Sequence, residues 1–96
     1  MMANSARDPY WQAGVRRETL DHATHQAAIE GECSICHMPM ARYEAGLAGR
    51  EGRVFAHTKF DPTVRADRLA ADGVSCTLCH QISKDKLGLR ESFVGR

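Results

Sequence analysis

Apolar positions recur at helical spacing over the first third of the chain and lose that rhythm afterwards. At about 100° per residue, Trp11, Val15, His22 and Ile29 fall within about 40° of one another, while Arg16, Arg17 and Asp21 point elsewhere. Asp8-Pro9 supplies an N-cap and a proline at the first helical position, and Gly31 stands where a terminating glycine belongs. This pattern predicts a helix over about residues 9–30, with His22 on its apolar stripe and His25 on the flank. A short helix is predicted over about 39–48, opened by Pro39, and a loop over 49–60. Asp61-Pro62 and Asp72-Gly73 bracket a further helix over about 62–71. The tail, 83–96, has no periodicity and reads as extended. Runs of Val, Ile, Thr and aromatics are nearly absent, so the expected fold is mainly α with extensive irregular loops and essentially no sheet.

Two pentapeptides change the picture. Cys33-Ser34-Ile35-Cys36-His37 recurs as Cys76-Thr77-Leu78-Cys79-His80. C-x-x-C-H is the spacing of covalent haem attachment: two thiols add across the two vinyl groups on one porphyrin edge, and the adjoining His binds the iron from one face. A C-x-x-C pair alone also serves as half of a zinc site, as a redox dithiol or as a disulfide. Two copies, each followed at once by His and with no cysteine left over, fit those readings poorly. The pairs are also separated by far more than the roughly 15–20 residues of a compact zinc ribbon. Two c-type haems are therefore expected, bound through Cys33, Cys36, Cys76 and Cys79, with His37 and His80 as proximal iron ligands.

Length and charge agree with a cofactor-organised chain. Ninety-six residues form one domain and bury little apolar surface unaided, so 1–96 is expected to be one dihaem module folded around its porphyrins. The net charge of +1 gives no basic surface for nucleic acid, and no apolar run approaches the length of a membrane span. The first residues lack the apolar stretch of a secretory signal. Because bacteria and archaea complete covalent haem attachment outside the cytoplasmic membrane, a periplasmic or extracellular location is expected. The chain is then expected to be an excised segment of a longer one.

Five histidines leave three for the two distal positions. His22, from the apolar stripe, and His57, in Val54-Phe55-Ala56-His57, are the expected distal ligands; His25 is expected at the surface or serving a haem outside this chain. His22 precedes Cys33 by 11 residues, about 16 Å along a helix, so it suits another haem better than its own neighbour. His57 has the reach for either iron. Met38 and Met40 follow the proximal His37, lie on the wrong side of their own haem, and are expected to pack. Met1 and Met2 are chain-terminal. Trp11, Tyr10, Tyr43, Phe55, Phe60 and Phe93 are expected against the porphyrins, and Arg42, Arg53 and Arg65 are candidates for pairing with propionates.

With the phrases Asp8-Pro9-Tyr10-Trp11, Asp21-His22, Cys33 to Tyr43, Phe55-Ala56-His57 and Asp72 to Ile82, the chain resembles the multihaem c-type cytochromes of bacteria and archaea. The resemblance implies closely packed bis-His haems that pass electrons within longer chains carrying further haem sites. The expected role is therefore electron transfer between redox partner proteins or other multihaem modules, with end-to-end self-association into a filament as a variant. An electron carrier is no enzyme. The alternative is a multihaem oxidoreductase acting on a small nitrogen or sulfur compound, which needs one iron with an open face and a proton donor beside it.

Overall fold

In the computed structural model, residues 2–92 are described; Met1 and Phe93 lie outside the described residues, as does 94–96. Asp8 opens the first helix in the expected way. Its backbone is extended, its carboxylate accepts the Tyr10 N–H at 2.9 Å, and Pro9 takes the first helical position. Helix α1 then runs Pro9–Asp21 and stops.

The single helix expected over about 9–30 is divided in two. His22 leaves the α region at φ −128° and ψ 55°, and a 3₁₀ turn over Ala23–His25 redirects the chain into α2, Gln26–His37. Asp21, His22 and Thr24 are weak helix formers, and the Thr24 hydroxyl is held locally to His25 Nδ1 at 3.1 Å. Breaking there lets α2 fold back onto α1, where packing outweighs the rhythm of one continuous helix. Gly31 terminates nothing. It lies inside α2, which carries the whole first C-x-x-C-H and ends with it.

Met38, at φ −134° and ψ 48°, joins α2 to α3, Pro39–Leu47, as expected from Pro39. A short 3₁₀ turn, Phe55–His57, interrupts the loop that follows. Helix α4, Arg65–Ala71, starts later than Asp61-Pro62 led us to expect. Asp61 caps a turn rather than the helix: its Oδ1 accepts the Thr63 N–H at 2.8 Å and the Thr63 hydroxyl at 2.7 Å. Gly73, at φ 58°, ends α4 in the left-handed region, and α5, Cys76–His80, is the second C-x-x-C-H. The described part of the tail, 83–92, is not extended. It loops back so that the Ser83 N–H donates to the Ser92 carbonyl at 2.6 Å, through a 3₁₀ turn over Arg90–Ser92.

Helix α1 packs on α2, α2 on α3, and α3 on α4, which also holds the 55–57 turn; among the described residues there is no strand. The core is small. Ala6, Val15, Met38, Ala41, Val54 and Ala70 are buried, flanked by Trp11, Cys33, Phe55, Phe60 and Leu69. Met38, expected to pack, is fully buried there. The chain exposes 6592 Å², about a fifth more than the ~5,500 Å² of a compact protein of 10.6 kDa. Tyr10 (88% exposed), Leu20 and Leu87 contribute to that excess. Among the described residues, no helix is long and apolar enough to cross a membrane.

Candidate haem attachment sites

Both pentapeptides are helical, and that decides what they present. In α2, Cys33, Cys36 and His37 stand at positions i, i+3 and i+4, and in α5 Cys76, Cys79 and His80 repeat the arrangement. Residues so spaced share one helix face. Each motif thus offers two thiols and one imidazole to the same side, as attachment to a porphyrin edge and ligation of its metal require. Cys36, Cys76, Cys79 and His80 are exposed, whereas Cys33 and His37 are half-buried.

His37 is fixed at three points. Its Nδ1 lies 3.0 Å from the Ser5 carbonyl oxygen. A carbonyl only accepts, so Nδ1 carries the hydrogen and Nε2 is left with the lone pair that a metal needs. The Ser5 hydroxyl donates to the His37 carbonyl at 3.1 Å. The Trp11 indole stacks on the imidazole, with centroids 4.1 Å apart and planes within 5°.

The Cys33 thiol is pushed above its ordinary value, first by burial and then by the negative charge of Cys36, Glu18, Glu32 and Glu30. A redox dithiol needs the opposite shift, because the thiolate is the nucleophile. All four cysteines are free thiols, and among the described residues no three Cys, His, Asp or Glu side chains converge as a metal-ion cage. The two C-x-x-C pairs therefore do not assemble a tetrahedral zinc site in this fold.

His57 is held by a carboxylate. Its Nδ1 lies 2.9 Å from Asp67 Oδ1, and the side chains are only 19% and 8% exposed. The other Asp67 oxygen accepts the Asp61 N–H at 3.1 Å. His57 also lines a pocket of about 430 Å³ walled by Ala41, Ala45, Ala56 and Ala66, with Glu44, Arg50, Glu51 and Arg53 as its polar lining.

The turn that carries His57 is set by a residue that sequence reading passed over. Glu30, 3% exposed on α2, accepts the backbone N–H groups of Val54 at 2.8 Å and Phe55 at 3.0 Å, and the Gln26 amide at 2.8 Å. Burial by itself raises its pKa, but the bonds from Gln26, Val54 and Phe55 and the Arg53 charge outweigh it and hold the carboxyl below its ordinary value. Arg16 covers the Phe55 ring at 3.7 Å from the other side.

His22 is placed differently from its expectation. The break puts it at the exposed end of α1, off the buried face formed by Val15 and Thr19, so no apolar stripe directs it inward. His25 is exposed as well, as expected. Among the arginines considered for propionates, Arg65 bonds Glu44 at 2.7 Å and Arg53 pairs with Glu51 at 3.5 Å. Arg42 Nε is buried without a hydrogen-bond partner.

Ser5, Glu30 and Asp67 carry no motif that marks them. Ser5 acts on the imidazole through its main-chain carbonyl, which any residue has. Asp67 had one weak signal, a carboxylate in the first turn of the helix following the loop that bears His57. No family model, no curated protein and no solved structure matches the chain.

Proposed function

We propose that the chain is an electron-transfer module carrying two covalently attached c-type haems, one at Cys33, Cys36 and His37 and one at Cys76, Cys79 and His80. The supporting observation is His37. It follows a C-x-x-C on one helix face, and its Nδ1 is committed to the Ser5 carbonyl at 3.0 Å, leaving Nε2 to bind a metal. His57, with Nδ1 likewise committed, is the favoured distal ligand, and His22 the second one on ligand count alone.

When bound, each haem iron alternates between ferrous and ferric and so carries one electron. The chain's own groups do the rest. The cysteines keep the group from dissociating, Ser5 and Trp11 fix the plane and tautomer of His37, and the small core and excess surface leave apolar area for porphyrin to cover. Histidine on both faces closes an iron to substrate, which supports a carrier over an enzyme. The role implies export to the periplasm or beyond, and redox proteins or further haem modules as partners.

The test is expression with a periplasmic haem-attachment system, followed by intact mass and visible spectra of oxidised and reduced protein. Two covalent haems with low-spin spectra in both states are expected. Apoprotein alone, or zinc in its place, overturns the reading; a high-spin haem that shifts on adding nitrite or sulfite redirects it to a multihaem oxidoreductase.

A further inference from the structure

The two anchored imidazoles differ in what anchors them, and that difference has a consequence for electron transfer. His37 donates from Nδ1 to a neutral backbone carbonyl, whereas His57 donates to a carboxylate. An anionic acceptor draws the Nδ1 proton more strongly and makes the imidazole a stronger electron donor at Nε2.

We infer that Asp67 is a positioning and tuning residue: it locks His57 with Nε2 free, and lowers the reduction potential of the haem that His57 serves relative to one whose histidines donate to neutral acceptors. The inference rests on the proposed haem function. Its geometry is independent of that reading. Asp67 is 6% exposed, so water does not compete for its oxygens, and both oxygens are used, one by His57 Nδ1 at 2.9 Å and one by the Asp61 N–H at 3.1 Å. The second bond ties the carboxylate to the turn before α4 and prevents it from swinging away. His57 in turn faces a pocket lined by Ala41, Ala45, Ala56 and Ala66, small side chains that leave room for a flat apolar group beside the imidazole. Glu44 and Glu51 line the same pocket, but they pair with Arg65 and Arg53, which leaves the Arg50 cation for a carboxylate of that group.

The test compares wild type with Asp67→Asn in the two-haem protein by spectroelectrochemical titration. Asn keeps the size and one oxygen acceptor but removes the charge. Outer-shell partners of metal ligands typically contribute about 10- to 100-fold. The low end predicts a tenfold rise in the reduced-to-oxidised ratio of one haem at fixed potential, about 59 mV for a one-electron couple. The other haem's midpoint should stay in place, which a general loosening of the fold would not allow. No shift, or an equal shift of both midpoints, overturns the inference while leaving two attached haems and the proposed function intact. Absence of haem in the wild type overturns the function itself. If Asp67→Asn does not fold, the reduced, diamagnetic wild-type protein decides: a strongly downfield His57 Nδ1 proton supports the inference, and its absence refutes it.

Discussion

Replacing Glu30 removes a buried group that ties α2 to the turn bearing His57, and its cost follows from the bonds it makes. In Glu30→Ala the N–H groups of Val54, which is fully buried, and of half-buried Phe55 lose their acceptor. Hydrogen bonds to a charged group contribute about 1.5–3 kcal/mol each, so the pair predicts a loss of about 3–6 kcal/mol. Against a total of about 5–15 kcal/mol for a protein of ordinary stability, that leaves little margin. Glu30→Gln behaves differently. Its carbonyl oxygen can accept both N–H groups while Gln26 turns its amide to accept from the new NH₂, so only the charge assistance is lost, about 1–2 kcal/mol. In urea, with a slope of about 1.5 kcal/mol/M, the midpoint falls by about 2–4 M for Ala and about 1 M for Gln, followed by circular dichroism.

The pH dependence gives a second handle on the same residue. The folded-state pKa of Glu30 lies below 4.5. A depressed carboxylate pKa contributes stability that is complete above the unfolded value and is lost as pH falls through the folded one. The gap between wild type and Glu30→Gln should hold constant from neutral pH down to about 5 and narrow only below it. Equal stabilities of the Ala and Gln variants, or a loss under about 0.5 kcal/mol for Ala, would refute the assignment of Glu30 as the tie.

Other substitutions follow from the same structure. Gly31→Ala should stabilise the protein by about 0.5–1 kcal/mol in thermal denaturation, because Gly31 is inside α2 with nothing within 4 Å of a new Cβ; destabilisation would mean that the helix ends there after all. Gly52→Ala should destabilise by about 1–3 kcal/mol in the same assay, since its Cβ would run into Ser34 Oγ and Arg42 Cδ. Gly73→Ala combines a left-handed φ of 58° with a Cβ 2.9 Å from the Met2 carbonyl and the Ser5 hydroxyl. It should cost about 1–3 kcal/mol and loosen the segment that holds His37, read as faster hydrogen exchange of residues 2–6. Cys76→Ala with Cys79→Ala should remove one haem by intact mass and leave the Cys33-Cys36 haem attached.

What could be read from the sequence, and what could not, divides along the range of the interactions involved. Asp8-Pro9, Pro39 and Gly73 act within a few residues, and the helices they punctuate start or stop where those residues direct. The helical character of the chain and its want of strands were legible for the same reason. The break at His22 was not, because the periodicity from Trp11 to Ile29 is the same whether one helix continues or two fold back and share a face. Gly31 misled in the same way: a glycine near a helix end and a glycine inside a helix look alike until packing chooses. At the candidate sites, the two C-x-x-C-H units were legible as candidates because the chemistry they suggest demands adjacency, and each lies on a single helix. Their supports were not, since Ser5 is 32 residues from His37, Glu30 is 24 from Val54, and Asp67 is 10 from His57.

Those long-range supports converge on one short stretch of chain. The Ser5 carbonyl accepts the hydrogen bond from His37 Nδ1 and the Ser5 hydroxyl donates to the His37 carbonyl, while three residues earlier the Met2 carbonyl accepts the Val74 N–H at 3.1 Å, two residues before Cys76. Gly73 permits this contact, because any side chain there would strike the Met2 and Ala3 carbonyls and the Ser5 hydroxyl. The turn over Met2–Ser5 thus touches the first C-x-x-C-H motif and the residues just before the second, linking the start of α5 to the end of α2. Among the described residues the buried apolar core is only six side chains, which makes this link a large share of what holds the two motifs together. In the proposed dihaem module, the rate of exchange between two one-electron centres depends on their separation and orientation. The stretch from Met2 to Ala6, which includes none of the proposed ligands, is therefore the element whose displacement should, on that proposal, alter electron exchange between the two sites while leaving each site's own ligands in place.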